Sequence, residues 1–455
     1  MGSVLIVTVI CLAFQAERAV LDTYSFFGIL RSGLNTTKKK KKHKSKIPLF
    51  ILIPALQEQD IIAETIQNVH NAFKGEAHIV IITTERESAQ AEVNSKNHLQ
   101  TKDVVLQTLK KTPDSSLRRA VRVIHYPKTN GRMAHQINFA LKKLHRSYPN
   151  AYFILYNADS IPSPSSENAF KRIFYIHPKA VVQQPCAFIR DTGSQTSAFV
   201  NALSLFQTLF CIGHETGLIK RYVPRLRKHS DISIKEFLFS PLGWIVGHGS
   251  AMSIRTCLKY GGFPEKYMNE DLTFGYILSS YQIPIYSIPI LEIADVPMNW
   301  SSLVRQKTVW FWNFLEYIRC YKDLDFPNIP TARRLALLVI GLGRGAYWFL
   351  SAFFFGLPII LGIIFQDWFI LIIGTLGFAC FSGLPILCLA LLLPKTLEVQ
   401  GFPEYAKRVR SIPLLKMLLA LPIVVLSDSI GPWIATTQWI NWKLTGILPN
   451  KPKTN

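Results

Sequence analysis

The chain has 455 residues, 51 Lys and Arg against 29 Asp and Glu, and a formal net charge of +22, enough length for one large domain with additional parts or for two to three domains. The charge favours anionic partners such as acidic lipid or a phosphorylated substrate. Hydrophobic residues make up 49% of the chain and concentrate after about residue 335, which excludes a single soluble globule.

Residues 2–14 form an apolar run of about a dozen residues, shorter than the ~20 that a spanning helix needs. No basic residue precedes it, and Phe14 stands where cleavage after Ala16 would require a small side chain, so a cleaved signal is not expected. The run reads either as a shortened membrane anchor or as an interfacial helix continued by residues 24–34. The run KKKKKHK follows at residues 38–44. It is a solvated linker, a juxtamembrane cluster drawn to anionic lipid at up to ~1 kcal/mol per basic residue, or both. It lacks interleaved aromatics, so nucleic acid is not an expected partner. Residues 1–44 thus form an N-terminal segment ahead of a domain at 45–330.

That domain alternates. IPLFILIPA (47–55) reads as a fully buried strand, and residues 58–73 carry Ile61, Ile62, Ile66, Val69 and Phe73 on one helical face. Strands at 77–85, 120–126 and 151–159 alternate with helices at 90–111 and 131–145. Such alternation implies crossover connections and an α/β fold with a mostly parallel sheet. Ligands bind such sheets at the carboxyl ends of the strands, where Glu58, Glu85, Lys128, Arg132 and Asp159 would gather.

Residues 331–455 are different. The stretches 346–365 and 368–393 are long enough to span a membrane. A third, 417–434, contains Asp428 and Pro422 and reads as a broken span or a re-entrant segment. Lys395, Lys407, Arg408, Arg410 and Lys416 place the intervening loop in the cytoplasm, and Arg333, Arg334 and Arg344 place the start of the first span there. The catalytic-looking domain is therefore expected inside the cell, beneath a plasma or inner membrane. Seven scattered cysteines without a C-x-x-C pair fit reduced thiols in that compartment better than disulfides or a zinc site.

Four motifs follow in order: PALQEQDIIAETI from Pro54, YNADSIP from Tyr156, VGHGSAMSIRTCLKYGGFPEKYMNEDLTFGYIL across 246–278, and RQKTVWFW from Arg305. In this order, ahead of membrane helices, they resemble the membrane-bound family 2 glycosyltransferases, the class of cellulose, chitin and hyaluronan synthases. The resemblance covers roughly residues 48–315 plus the trailing helices and is most specific in the 246–278 block. It implies a GT-A fold, a nucleotide-sugar donor, in the first place a UDP-sugar, and a glycan or lipid-linked acceptor at the membrane. A sugar leaving as a diphosphate must have that charge neutralised, and a divalent cation such as Mg2+ or Mn2+ does so as a Lewis acid.

The resemblance assigns Asp159 as metal ligand, although Asn157 replaces the first acid of the usual Asp-x-Asp and is left to hold the ribose or sugar. The alternative for Asp159 is a simple turn aspartate. Asp271 matches the general base of the family's Thr-Glu-Asp, with Asn269 in place of Thr, and direct attack by the activated hydroxyl would invert the anomeric carbon. Glu270 is an orienting group, and both acids equally suit a helix N-terminus. Pro54 and Glu58 match the family's opening motif, and Glu85 stands where relatives place an Asp on the nucleobase. Lys128 and Arg132 match a basic segment near the phosphates, with a solvated loop as the alternative. Gln306 and Trp310 match Q-x-x-R-W and would meet the acceptor, unless Trp310 is an interfacial aromatic. His248 is an acceptor-side candidate or a structural histidine. Val309 replaces the signature's Arg, so Arg305 or Lys307 substitutes or processive synthesis is in doubt. These departures motivate the alternative of a membrane pseudoenzyme that binds a glycan or a partner synthase. A transporter is disfavoured by so few spans, and a glycan channel through them needs close packing or a second copy of the chain.

Overall fold

The computed structural model describes residues 2–36, 47–74, 76–93, 99–217, 219, 242–324 and 328–447, and the basic run at 38–44 lies outside them. A seven-stranded sheet has the order β3-β2-β1-β4-β8-β6-β9. Its strands are β1 (Leu49–Pro54), β2 (His78–Thr84), β3 (Val121–Tyr126), β4 (Tyr152–Leu155), β6 (Val181–Gln183), β8 (Ser250–Ser253) and β9 (Ile285–Ser287). All neighbours pair in parallel except those of β8, which runs against both β4 and β6. A small second sheet joins β5 (Ile161–Pro162), β10 (Glu292–Ile293) and β7 (Cys186–Ala187) in the order β5-β10-β7.

The side-chain alternation of β1 explains its unbroken apolar sequence. Phe50 and Leu52 join the core on one face of the sheet, while Leu49, Ile51 and Ile53 join the core on the other. Both faces of a central parallel strand are covered, so every position is apolar. Helix Ile62–Ala72 covers one face with Ile62, Ile66 and Val69, and helix Met133–Ser147 covers the other with Ile137, Ala140, Leu141 and Leu144. The single helix expected over 90–111 is instead two, Glu85–Val93 and Thr101–Lys111. The second starts afresh at a capping box of Gln100 and Asp103. The Glu87 carboxylate anchors it by accepting from Thr101 N and Oγ1, each at 2.8 Å.

Among the described residues, four helices are long and apolar enough to cross a membrane: Gly2–Leu34, Thr331–Ile364, Trp368–Val399 and Leu414–Thr445. Large apolar side chains such as Ile364, Phe369 and Leu391 stay exposed along them, as lipid-facing residues do. The N-terminal run is therefore no short anchor. It continues as one helix to Thr36 because the charges that interrupt it answer each other: Arg18 Nε lies 3.5 Å from Asp22 Oδ2, one turn on.

The segment around Asp428 is neither broken nor re-entrant. Leu414–Thr445 is one helix that carries Pro422 and Pro432 inside it. Pro432 cannot donate to the carbonyl of Asp428, and Trp348 Nε1 takes that carbonyl instead at 3.0 Å. The Asp428 carboxylate pairs with Lys307 of helix Trp300–Asp323 at 3.2 Å, and both side chains are buried. Removing one partner of such a pair strands a buried charge. Lys307→Met is expected to destabilise the detergent-solubilised protein by ~3–5 kcal/mol, read as a lower melting temperature. Lys307→Met combined with Asp428→Leu should recover most of that loss.

Candidate active site

The chain leaves β4 through a turn in which Ser160 N donates to Asn157 O and Asn157 N donates to Ser160 Oγ, both at 3.2 Å. The turn sets Asp159 at the carboxyl end of the sheet with only 8% of its surface exposed. Because β8 is antiparallel to β4, its entry, Gly247-His248-Gly249, arrives at that same end, and Gly249 N donates to Leu155 O at 2.7 Å. Gly249 has φ +64°, and a Cβ there would lie 2.9 Å from Gln184 O. A Cβ on Gly247 would lie 3.2 Å from Asp271 Oδ2, so this glycine lets the loop close on that carboxylate. His248 Nδ1 is hydrogen-bonded to Oε1 of the fully buried Glu292. Burial pushes the Glu292 carboxyl up, and His248 opposes that.

Asn269 precedes helix Glu270–Ser280 in an extended conformation. Its side-chain Nδ2 donates to the backbone carbonyl of Val309 at 2.6 Å, which ties this segment to the helix of Gln306 and Trp310. The buried Glu316, one further turn along that helix and beyond, accepts from Met268 N through both carboxylate oxygens at 2.9 and 2.8 Å and is paired with Arg319. Glu316 had no signal in the sequence, where it reads as one more helix acid. Glu316→Ala would leave a buried N–H unanswered and is expected to cost ~1–3 kcal/mol, measurable as a melting shift.

These segments enclose a cavity of about 510 Å³. Glu58, Asn157, Asp159, His248, Glu270, Asp271, Gln306 and Trp310 all line it. Asp191 and Asp295, which the sequence reading passed over, line it as well. Its wall therefore carries six carboxylates and, among the described residues, no Lys or Arg side chain. Burial, and next the Asp159 charge, push the Asp295 carboxyl up to about 7. Gln306 and the wholly buried Gln207 also line the cavity, and Gln306 Oε1 and both polar atoms of the Gln207 side chain lack a hydrogen-bond partner. Unsatisfied buried amides of this kind suit a hydroxyl-rich ligand.

The remaining candidates lie off this wall. Pro54 ends β1, and Glu85, just past β2, pairs with His125 Nε2 at 2.8 Å. The Lys128 carbonyl accepts from Thr84 Oγ1 at 3.5 Å, and Arg132 Nη1 donates to Tyr267 O at 3.5 Å. They line the carboxyl ends of β1 to β3 beside the cavity. Neither substitute for the missing signature Arg reaches the wall. Arg305 is exposed, and Lys307 is held by Asp428 with its Nζ 4.5 Å from the Trp310 ring centroid. A second cavity of about 350 Å³ shares Phe210, Trp244, Phe314 and Trp348 with the first and is further lined by Arg18, Asp22, Arg344 and Asp428 of the membrane helices.

The chain is similar in structure to the mannosyltransferase PcManGT from Pyrobaculum calidifontis in complex with GDP-Man and Mn2+, at 16% identity and a TM-score of 0.45, covering 93% of this chain and 99% of that one. It is similar also to S. aureus TarS 1-349, at 12% identity and TM-score 0.37, covering 80% and 89%. The same protein in complex with UDP-GlcNAc matches at 12% identity and TM-score 0.37, covering 84% and 91%. No family model and no curated protein matches the chain.

Proposed function

We propose that this chain is an inverting glycosyltransferase that moves a sugar from a nucleotide diphosphate sugar to a membrane-associated glycan or lipid-linked acceptor. The observation that carries the reading is the meeting of Asp159 and Asp271, more than a hundred residues apart in sequence, on the wall of one cavity at the carboxyl end of the sheet. In this reading Asp271 takes the proton of the acceptor hydroxyl as its oxygen bonds to the anomeric carbon. The bond from that carbon to the diphosphate oxygen breaks on the opposite face, so the configuration inverts. Asp271 Oδ1 accepts from Leu272 N at 2.7 Å, which orients the carboxylate, and Glu270 helps to position the segment.

The cavity wall supplies carboxylates where a diphosphate needs positive charge. A bound Mg2+ or Mn2+ would supply that charge as a Lewis acid, and Asp159 would hold it. The fit is supported by Asp159 Oδ1, which is buried without a hydrogen-bond partner. Glu85, Lys128 and Arg132 are assigned to the nucleotide, with a UDP-sugar the first donor to test. Gln306, Trp310 and His248 are assigned to the acceptor, and Gln207 joins them. The second cavity, between the first and the membrane helices, supports an acceptor that approaches from the bilayer. The basic loop from Lys395 to Lys416 supports a catalytic domain on the cytoplasmic side.

Detergent-solubilised protein offered a panel of radiolabelled nucleotide sugars is expected to transfer one of them only when Mg2+ or Mn2+ is present. Asp271→Asn should retain nucleotide binding and lose ~10²–10⁴-fold in turnover. Asp159→Ala should weaken metal-dependent donor binding. Gln207→Leu should raise the acceptor KM more than it lowers kcat. Donor binding without turnover, in the unaltered protein, would favour the pseudoenzyme instead.

A further inference from the structure

Strands β5 and β10 pair in antiparallel fashion, with Ile161 opposite Ile293 and Pro162 opposite Glu292. Asp159 and Asp295 each lie two residues beyond that pairing, on the same side of it. Like charges brought close just beyond such a pair repel each other. Both aspartates line the cavity, and the Oδ1 atom of each is buried without a hydrogen-bond partner. Two acids in this relation favour a cation between them, with a proton as the competing occupant.

Among the described residues, the protein's own cations do not meet that need. Arg190 Nη1 lies 3.4 Å from Asp295 Oδ2, but its Nη2 serves Glu64 Oε2 at 2.9 Å. One guanidinium thus answers two carboxylates and leaves the Oδ1 atoms unmet, while fixing the orientation of Asp295. Another buried cluster of ligand-type groups among the described residues, Cys186, His248 and Glu292, is a poorer cation site. Its imidazole and carboxylate already bond to each other, and its thiol is a soft donor where Mg2+ and Mn2+ prefer hard oxygen.

We infer that Asp295 is the second carboxylate of the divalent-cation site, reaching the cavity of Asp159 from the segment just past β10 and supplying the charge that Asn157 does not. This rests on the reading of the cavity as a nucleotide-diphosphate site. Octahedral Mg2+ or Mn2+ held by one or two carboxylates keeps its other positions for diphosphate oxygens and water. An Asp-x-Asp motif places both acids on one turn. This chain places one acid in the turn ahead of β5 and the other just past β10, and the amide at position 157 follows, since a third carboxylate there would add repulsion without being needed as a ligand.

The test is titration of the full-length, detergent-solubilised protein with Mn2+ alone, following loss of the free-ion electron paramagnetic resonance signal. The unaltered chain should show one saturable site. Asp295→Asn should weaken it at least ~10–100-fold, since even outer-shell changes cost that much. Asn157→Asp combined with Asp295→Asn keeps the net charge, moves the second carboxylate beside Asp159 and should regain binding. Mn2+ affinity within twofold of the unaltered protein in Asp295→Asn would overturn the inference. Asp295-dependent Mn2+ binding with no sugar transfer from any donor would leave it standing and end the transferase reading. Metal-dependent transfer unaffected by Asp295→Asn would do the reverse.

Discussion

Carboxylates gathered in a cavity of reduced dielectric repel one another, by ~4 kcal/mol per pair at 4 Å for an effective dielectric constant of 20. A chain with a surplus of 22 positive charges nevertheless collects six acids on one wall. The topology does the collecting. Strands β8 and β10 run against their neighbours β4 and β5, so they bring His248 and Asp295 to the edge that β4 supplies with Asp159. Parallel strands in those places would have carried these residues to the opposite edge. Two reversals of direction, one in each sheet, therefore add His248 and Asp295 to the wall that Asp159 begins.

How much of this was readable in the sequence follows from how local each signal is. The strand and helix alternation was legible because β1, β2 and the helix at Ile62–Ala72 are each long enough to show their own period. Asp159, Glu270 and Asp271 stood out because they sit in recognisable runs. Asp295 did not, because β5 and β10 are two residues each and show no period, and their pairing is set by distant parts of the chain. Gln207 was hidden in an apolar helix, Ala198–Leu209, where a glutamine looks like a tolerated exception. The continuity of the first helix depended on an ion pair that only a turn of helix could reveal. The split at 93–101 depended on Glu87 reaching across to Thr101.

Helix Trp300–Asp323 is one of the joints between the sheet domain and the membrane helices. Its Glu316 holds the backbone ahead of Glu270, its Val309 carbonyl holds Asn269, and its Lys307 holds Asp428 of the last membrane helix. Gly431 belongs to the same contact: a Cβ there would lie 2.5 Å from Lys307 Cβ, so the two helices meet backbone to backbone. The departure at Asn269 also gains a physical reason, since its amide spans to a carbonyl that is buried against it. The Trp310 and Trp348 rings sandwich this junction, with Lys307 Nζ 4.5 and 5.7 Å from their centroids.

The first helix carries a consequence for biosynthesis. Gln15 donates to the carbonyl of Phe354 across 339 residues of chain, and Leu12 fills the space beside Gly377. A ribosome would release this helix long before its partners exist. Until they arrive, its amide and its arginine would have to be satisfied by lipid headgroups, water or a chaperone, and the seven-stranded sheet would be translated while the membrane part is still open. Contacts of such long sequence separation form late and slowly, so an interrupted translation product would leave a helix in the bilayer with its polar stripe uncovered, ready for degradation or for capture by another polypeptide.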